Sequence, residues 1–210
     1  MTEATTRRLL RRDERQAQIL GAAAAAFARG GYAATSMEDV AAEAGITRLI
    51  VYRHFDSKED LYRAVLTTVT ERLAEEWRSG VEGGGHGYVF RTLLTVAREL
   101  PDGYRLLFEH AAREPQFVGF FEDVRAAQVG LADQILGGQL PDPAMRRWAT
   151  RTLIGYLDDS VLAWLELGDP ARDDDFVEQA TDGMLAMYRA WVPDPALVDG
   201  SRPIDAEPVS

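Results

Sequence analysis

The stretch that decides the fold is residues 35–61, TSMEDVAAEAGITRLIVYRHFDSKEDL. Thr35 is followed three residues later by Glu38, the pattern of a capping box that satisfies backbone N–H groups at a helix start. Apolar residues then recur at helical spacing, namely Met37, Val40, Ala41 and Ala44. Gly45 can adopt the left-handed conformation that ends many helices, and Thr47 can cap a second helix. Two helices joined by a short turn, the helix-turn-helix arrangement, are therefore predicted.

The second helix of this stretch has two chemically different sides, because successive residues rotate by about 100°. One arc carries Arg48, Leu49, Tyr52 and Arg53. Val51 and Phe55 fall on the opposite side, which is predicted to be buried. Guanidinium groups, a phenol and an apolar tip suit the DNA major groove. Asp56 or Ser57 caps a further helix and places Lys58, the only lysine, in its first turn, where ammonium and free N–H groups can bind phosphate.

These residues resemble the helix-turn-helix of the TetR (AcrR-like) transcriptional regulators. The matching positions are Thr35, Val40, Ala41, Ala44, Gly45, Ile46, Thr47, Val51, Tyr52, His54, Phe55, Lys58 and Leu61. The motif resemblance covers residues 13–66, and beyond it the likeness is one of architecture. It implies an all-α fold of about nine helices, in which a three-helix DNA-binding domain precedes a larger ligand-binding and dimerisation domain.

The DNA-binding residues follow from the exposed arc, the helix starts and the resemblance taken together. The predicted set is Thr35, Thr47, Arg48, Leu49, Ile50, Tyr52, Arg53, His54 and Lys58. Thr35, His54 and Lys58 are expected to hold phosphate. Leu49 and Ile50 stand where the family often has Gly, Pro, Ser or Thr, and these apolar side chains are suited to touching thymine methyl groups.

Four segments are predicted along the chain: a flexible basic arm (1–12), the helix-turn-helix domain (13–64), the ligand-binding and dimerisation domain (65–192) and a disordered tail (193–210). The arm is either a solvated tail or a segment that contacts phosphate or the minor groove. The first helix is predicted from Asp13 to Arg29, ended by Gly30 and Gly31. The predicted core of the first domain is Ile19, Phe27, Val40, Ile46, Val51 and Phe55.

The charge of the chain is unevenly distributed. The formal net charge is −11, yet residues 1–63 hold 10 Lys and Arg against 9 Asp and Glu, which leaves 13 against 25 for the remainder. An acidic body repels phosphate, so DNA is expected to meet only the N-terminal part. The absence of cysteine excludes disulfides and thiolate chemistry and fits a reducing, cytoplasmic location. No apolar run approaches the roughly 18 residues of a membrane span.

Aromatic residues recur on the helices predicted after residue 87, where they form either plain core or the lining of a ligand cavity. The predicted ligand-binding residues are Tyr104, Phe108, Phe117, Phe121, Asp158 and Trp164. Asp158 interrupts an apolar run and needs a partner if it is buried. That partner is an arginine (Arg105, Arg125 or Arg151) or a cationic or hydrogen-bond-donating aromatic ligand; exposure at a dimer rim is the other possibility.

The last two helices, predicted over Pro143–Gly168 and Asp173–Trp191, have wide apolar stripes and several small residues. In the family that the chain resembles, these helices pair with their symmetry mates in a four-helix bundle. The predicted dimerisation residues are Tyr156, Val161, Ala180, Met184, Tyr188 and Trp191. A two-fold dimer doubles the number of base pairs that one helix-turn-helix recognises.

The sequence thus predicts a sequence-specific transcriptional regulator, a repressor that a small-molecule ligand releases from double-stranded operator DNA. No cofactor, metal site or membrane contact is predicted. A ligand-independent DNA-binding protein is one alternative, although a basic surface throughout would be expected of it. An all-α enzyme is the other, but no phosphate-binding loop, nucleophile beside a histidine or metal-ligand spacing supports it.

Overall fold

A computed structural model describes residues 3–80, 85–136 and 139–192. Those residues form nine α-helices and no strand, which confirms the all-α class. The helices are α1 (Glu3–Ala34), α2 (Met37–Glu43), α3 (Arg48–Tyr52), α4 (Lys58–Gly80), α5 (Tyr88–Glu99), α6 (Pro101–Arg105), α7 (Val118–Leu136), α8 (Pro143–Leu167) and α9 (Asp173–Trp191). The predicted tail, 193–210, lies outside the described residues. No helix in the described ranges has the length and apolarity needed to cross a bilayer.

The first helix begins earlier than the sequence predicted. Its backbone is helical from Glu3, not from Asp13, so α1 includes residues 3–12 of the segment predicted as a flexible basic arm. The physical reason is that residues 3–20 contain neither glycine nor proline to stop the helix. The helix extends to Ala34, beyond the predicted end at Arg29, although Gly31, with φ 76° and ψ 161°, interrupts the helical backbone at the predicted glycine pair.

The capping box at the start of α2 is displaced by one residue from the predicted pair. Ser36 Oγ accepts a hydrogen bond from the Asp39 N–H, and the Asp39 carboxylate accepts one from the Ser36 N–H. Ser36 and Asp39 therefore form the box, not Thr35 and Glu38. Gly45 has φ 63°, the left-handed conformation predicted for it.

The described chain divides into two compact units, and each is built from separate pieces of sequence. The first unit joins the chain up to Glu71 with Leu100–Phe121, and the second joins Arg72–Glu99 with the chain from Glu122 onward. This division differs from the predicted boundary at residues 64 and 65. It assigns α6 and the short π-helix and 3₁₀ helix after it, Leu106–His110 and Ala111–Arg113, to the unit that contains the helix-turn-helix.

The core of the first unit contains the aromatic cluster, defined here as Phe27, Tyr32, Tyr62 and Phe117. The Phe117 ring stacks on Tyr62 with centroids 4.3 Å apart, and it meets Tyr32 nearly at right angles at 5.1 Å. Phe27 packs edge-on against Tyr62 at 5.0 Å. Ile19, Val40, Val51 and Phe55 are buried as predicted, whereas Ile46 is only partly buried.

The second unit is held together by an aromatic group and an ion pair. Phe90 of α5 lies edge-on to Tyr156 of α8 and Phe176 of α9, with centroids 5.9 and 5.8 Å apart. Arg98 makes a two-pronged contact with Asp173, at 2.7 and 3.1 Å, which joins α5 to the start of α9. Helices α8 and α9 begin and end within a residue of their predicted limits.

Candidate nucleic-acid interface

The surface of α3 matches the arc predicted from its sequence. Leu49 is 63% exposed and Tyr52 38% exposed, and Arg48 and Arg53 are exposed as well. Val51, on the opposite side, is fully buried against the core. The helix therefore uses one side for packing and presents hydrogen-bond donors and an apolar tip on the other, the combination that reads base edges in the major groove.

Arg48 is oriented by two neighbours. Its Nη2 donates a hydrogen bond to Tyr52 Oη at 3.2 Å, and its guanidinium lies 5.0 Å from the centroid of the Tyr52 ring. Its Nη1 also forms an ion pair with Glu38 of α2. Glu38 was predicted to cap α2. Its carboxylate instead holds Arg48 in the absence of DNA.

The two threonines of the predicted set behave differently. Thr35 is buried, and its hydroxyl donates towards the carbonyl oxygens of Gly31 at 2.8 Å and Ala26 at 3.2 Å. This interior position contradicts the phosphate contact predicted for Thr35. Thr47 occupies the N-cap position of α3, as predicted, but its exposed side chain makes no capping hydrogen bond.

His54 and Lys58, predicted as phosphate anchors, are both partly buried. Burial lowers the pKa of His54, and the nearby Arg12 and Arg15 lower it further, so its imidazole is neutral at physiological pH. Its Nδ1 is buried without a hydrogen-bond partner among the described residues. Lys58 Nζ donates to the carbonyl oxygens of Tyr32 at 2.9 Å and Ala33 at 3.3 Å. Lys58 therefore holds the backbone of Tyr32 and Ala33, and its contact with phosphate stays a prediction.

The predicted dimerisation residues are only partly available on one subunit. Val161 and Ala180 are buried within their own chain, which contradicts a role in contacting a partner. The reason is that α8 and α9 pack closely on each other: the Tyr156 hydroxyl donates to the Ala180 carbonyl at 3.1 Å. Met184, Tyr188 and Trp191 are partly buried against the cluster of Leu136, Leu140, Ala149 and Leu153.

The start of α8 presents two exposed apolar side chains that were not among the predicted dimerisation residues. Trp148 is 48% exposed and contacts Trp191 with ring centroids 4.9 Å apart. Met145 is exposed one turn earlier. The sequence could have indicated this surface, because large apolar residues in the first turns of α8 interrupt the polar pattern of an exposed helix start.

The predicted ligand-binding residues are divided between the two units. Tyr104, Phe108, Phe117 and Phe121 belong to the first unit, and Asp158 and Trp164 belong to the second. Tyr104 and Phe117 are fully buried, and their place in a ligand cavity stays a prediction. Phe108 and Phe121 are partly exposed. Trp164 stacks on Phe176 and donates its indole N–H to Asp173 at 2.7 Å.

Asp158 is 3% exposed and has partners within the protein. Its Oδ2 lies 2.9 Å from Arg125 Nη1, and its Oδ1 accepts a hydrogen bond from Gln128 Nε2 at 3.0 Å. Of the predicted alternatives, the ion pair with Arg125 is therefore the one present. Burial raises the pKa of Asp158 to about 6, against the attraction of Arg125, which lowers it. Asp159, the neighbouring carboxylate, is exposed.

These observations define the class of the protein: an all-α helix-turn-helix protein whose short third helix exposes Arg48, Leu49, Tyr52 and Arg53. Residues 19–65 match the family model described as bacterial regulatory proteins, tetR family. The chain is 31% identical over 182 residues to the transcriptional activator FasR of Mycolicibacterium smegmatis, covering 80% of each chain. It is 30% identical over 193 residues to the transcriptional regulator TtgR of Pseudomonas putida, covering 84% of this chain and 92% of TtgR.

The chain belongs to the TetR family of bacterial transcriptional regulators. Its fold is also that of a TetR-like transcriptional regulator from Rhodococcus sp. RHA1, with a TM-score of 0.65 and 22% identity over 82% of this chain and 96% of that one. The family assignment agrees with the resemblance read from residues 35–61.

Proposed function

We propose that this chain is a homodimeric repressor that binds operator DNA through α3 and is released by a small-molecule effector. The α3 surface is the observation that carries the DNA-binding part. Arg48, Tyr52 and Arg53 point away from a buried Val51, and Leu49 is the most exposed large apolar residue among the first-unit side chains that the structure describes. This chemistry supports direct contact with bases and phosphates.

The charge distribution supports contact through one part of the chain. The first 63 residues are nearly balanced in charge, whereas the rest has 25 acidic against 13 basic residues. Phosphate is repelled by the acidic portion, so the proposed duplex lies against the helix-turn-helix.

Dimerisation is proposed through exposed parts of α8 and α9. Met145, Trp148 and Trp191 form an apolar group at one end of this helix pair. Met184 and Tyr188, partly exposed on α9, extend the proposed surface. Two subunits related by a two-fold axis would place two α3 helices on half-sites separated by about one helical turn of DNA.

Activation of transcription is the second candidate outcome, because FasR, which is 31% identical to this chain, is named a transcriptional activator. Both outcomes use the same DNA-binding surface. They differ in whether the bound regulator excludes or assists RNA polymerase, and a transcription assay separates them.

The effector is proposed to be a small aromatic or apolar molecule. Phe108 and Phe121 of the first unit retain partly exposed rings suited to contact with it. A cation is not expected to be selected by Asp158, because Arg125 already neutralises that carboxylate. Release from DNA requires the effector to bind the non-operator conformation more tightly than the operator-bound one.

Three measurements test this proposal on the full chain. Fluorescence anisotropy with the promoter next to its own gene is expected to give saturable binding that unrelated DNA competes for poorly. In vitro transcription from that promoter is expected to fall as regulator is added, whereas a rise would establish activation. A thermal-shift screen of neutral and cationic aromatic compounds, followed by DNA release, tests the effector. Binding of equal strength to any sequence would contradict the proposed specificity.

A further inference from the structure

We infer that Phe117 is a positioning residue for DNA binding: through Tyr32 and Lys58 it fixes the start of α4 and thereby the orientation of α3. This inference rests on the proposed DNA-binding function and names a contact that regulates it. All the residues involved belong to the first unit.

Phe117 comes from a part of the sequence far from the helix-turn-helix. It lies in the segment Leu100–Phe121, one residue before α7 begins at Val118. It is nevertheless fully buried, stacked on Tyr62 of α4 and in edge contact with Tyr32. A residue outside the predicted DNA-binding domain thus completes the core behind the DNA-reading helices.

Tyr62 depends on Phe117 more than an ordinary core tyrosine would. Its side chain is fully buried, and its hydroxyl has no hydrogen-bond partner among the residues that the structure describes. Burial, and the nearby Glu114 carboxylate to a smaller extent, raise the pKa of Tyr62, so the hydroxyl stays protonated. Without a polar contact to hold it, the ring is placed by packing against Phe117, Phe27 and Tyr32.

Tyr32 connects Phe117 with the first residue of α4. Lys58 Nζ lies 4.4 Å from the centroid of the Tyr32 ring, and the same ammonium donates to the backbone carbonyls of Tyr32 and Ala33. These carbonyls follow Gly31, where the backbone dihedral angles depart from helical values. The contacts run without a gap from Phe117 to Tyr32 and from Tyr32 to Lys58.

The orientation of α3 must be set by its neighbours, because α3 is only five residues long. So short a helix is not stable by its own hydrogen bonds. Its one fully packed side chain, Val51, holds it to the core, and the chain then passes through Phe55 to Lys58. A shift of Lys58 would therefore turn the Arg48 side of α3 relative to a DNA groove.

The experiment compares full-length wild type with Phe117→Leu, Lys58→Met and the control Phe90→Leu. Phe90 is an equally buried phenylalanine of the second unit, in edge contact with two aromatic rings, so the control creates a similar packing defect elsewhere. Operator affinity is measured by fluorescence anisotropy across a range of KCl concentrations. Hydrogen exchange of the amides of residues 46–62 is measured without DNA.

Phe117→Leu is expected to weaken operator binding about tenfold with an unchanged salt slope, since no phosphate contact is removed. The amides of residues 46–62 should exchange faster in this variant. Phe90→Leu should leave affinity within about twofold and leave exchange in this segment unchanged, even where its melting temperature falls. Lys58→Met should lose affinity with an unchanged slope, whereas removal of a phosphate anchor lowers the slope by about one.

The inference would be overturned if the amides of residues 46–62 exchanged at the wild-type rate in Phe117→Leu. It would also be overturned if Phe90→Leu lost as much operator affinity as Phe117→Leu. A reduced salt slope in Lys58→Met would show that Lys58 binds phosphate and would remove it from the positioning path. If wild type bound no operator, the proposed function would fail, while the exchange measurement would still decide whether Phe117 positions α3.

Discussion

The Arg48 guanidinium forms an ion pair with the Glu38 carboxylate, which joins α3 to α2 in the absence of DNA. Both side chains are more than half exposed, so the pair contributes little to stability. The pair instead affects how Arg48 can bind DNA. Arg48 must share or release this carboxylate before its guanidinium can fork onto a guanine or a phosphate.

Glu38→Gln is expected to raise operator affinity about two- to fivefold. The change frees Arg48 from an exposed pair, a gain of at most about 1 kcal/mol, and removes a negative charge that faces phosphate. Fluorescence anisotropy at fixed salt measures the effect. Glu43→Gln is the matched control, because Glu43 forms an ion pair with Arg29 in the same unit but outside α3. Weaker binding by Glu38→Gln would show that the pair positions Arg48 productively.

Arg48→Ala is expected to cost about 1–3 kcal/mol of operator binding and to relax the preference for one base pair of the half-site. The physical reason is the loss of a two-pronged hydrogen bond to a base edge. Binding to a panel of operators substituted at single positions measures both effects. Arg29→Ala, which removes an exposed arginine of the same unit, should leave the base preference intact. A uniform loss over all operators would assign Arg48 to phosphate.

Asp158→Asn is expected to change the pH dependence of stability. The pKa of Asp158 in the folded protein, about 6, lies above the usual value for aspartate, so the folded state binds this proton more tightly than the unfolded chain does. The stability that this group contributes is full below about pH 4 and is lost as the pH rises through about 6. The free energy of unfolding of wild type should therefore fall by roughly 2–3 kcal/mol relative to the variant between pH 4 and 7.

Urea unfolding at one fixed protein concentration measures this difference, since dimerisation makes stability depend on concentration. Asp159→Asn is the control, because it removes one negative charge from the exposed neighbouring position. Parallel stability curves for wild type and Asp158→Asn would mean that the Asp158 carboxyl titrates alike in the folded and unfolded chains.

Trp148→Glu is expected to produce a monomer that binds a full operator poorly. The side chain is half exposed, so the charge is tolerated by the isolated subunit but not in an apolar interface. Light scattering at micromolar concentration gives the oligomeric state, and circular dichroism checks the helix content. Val129→Glu places the same charge on an exposed apolar position of α7 and should remain dimeric. A wild type that is monomeric by itself would contradict the proposed interface.

Much of the helix-turn-helix was predictable because its determinants are local. Gly45 and Gly31 both adopt the positive φ that a helix end requires, and the period of the apolar residues places Val51 inside. The error at the α2 cap was also local, since Ser36 with Asp39 has the same spacing as Thr35 with Glu38. Only burial distinguishes the two pairs, because Thr35 is drawn into the interior.

Contacts between distant segments could not be read from the sequence. The apolar run around Asp158 predicted a buried carboxylate and three candidate arginines, but the choice of Arg125 depends on how α7 and α8 pack. Lys58 looked like a phosphate anchor, and its carbonyl partners at Tyr32 and Ala33 depend on the path of the chain after Gly31. Phe117 carried no local sign that it would stack on Tyr62.

The discontinuous make-up of the two units limits how this regulator can be recombined with its relatives. The chain passes from one unit to the other between Glu71 and Arg72, between Glu99 and Leu100, and between Phe121 and Glu122. A fragment that ends at residue 64 or 71 lacks Phe117 and leaves the buried ring of Tyr62 uncovered. A chimaera joined to a relative at a single crossover near these residues would pack Tyr62 against the relative's segment instead of its own Phe117. A chimaera that transfers residues 100–121 together with the N-terminal segment keeps the first unit intact.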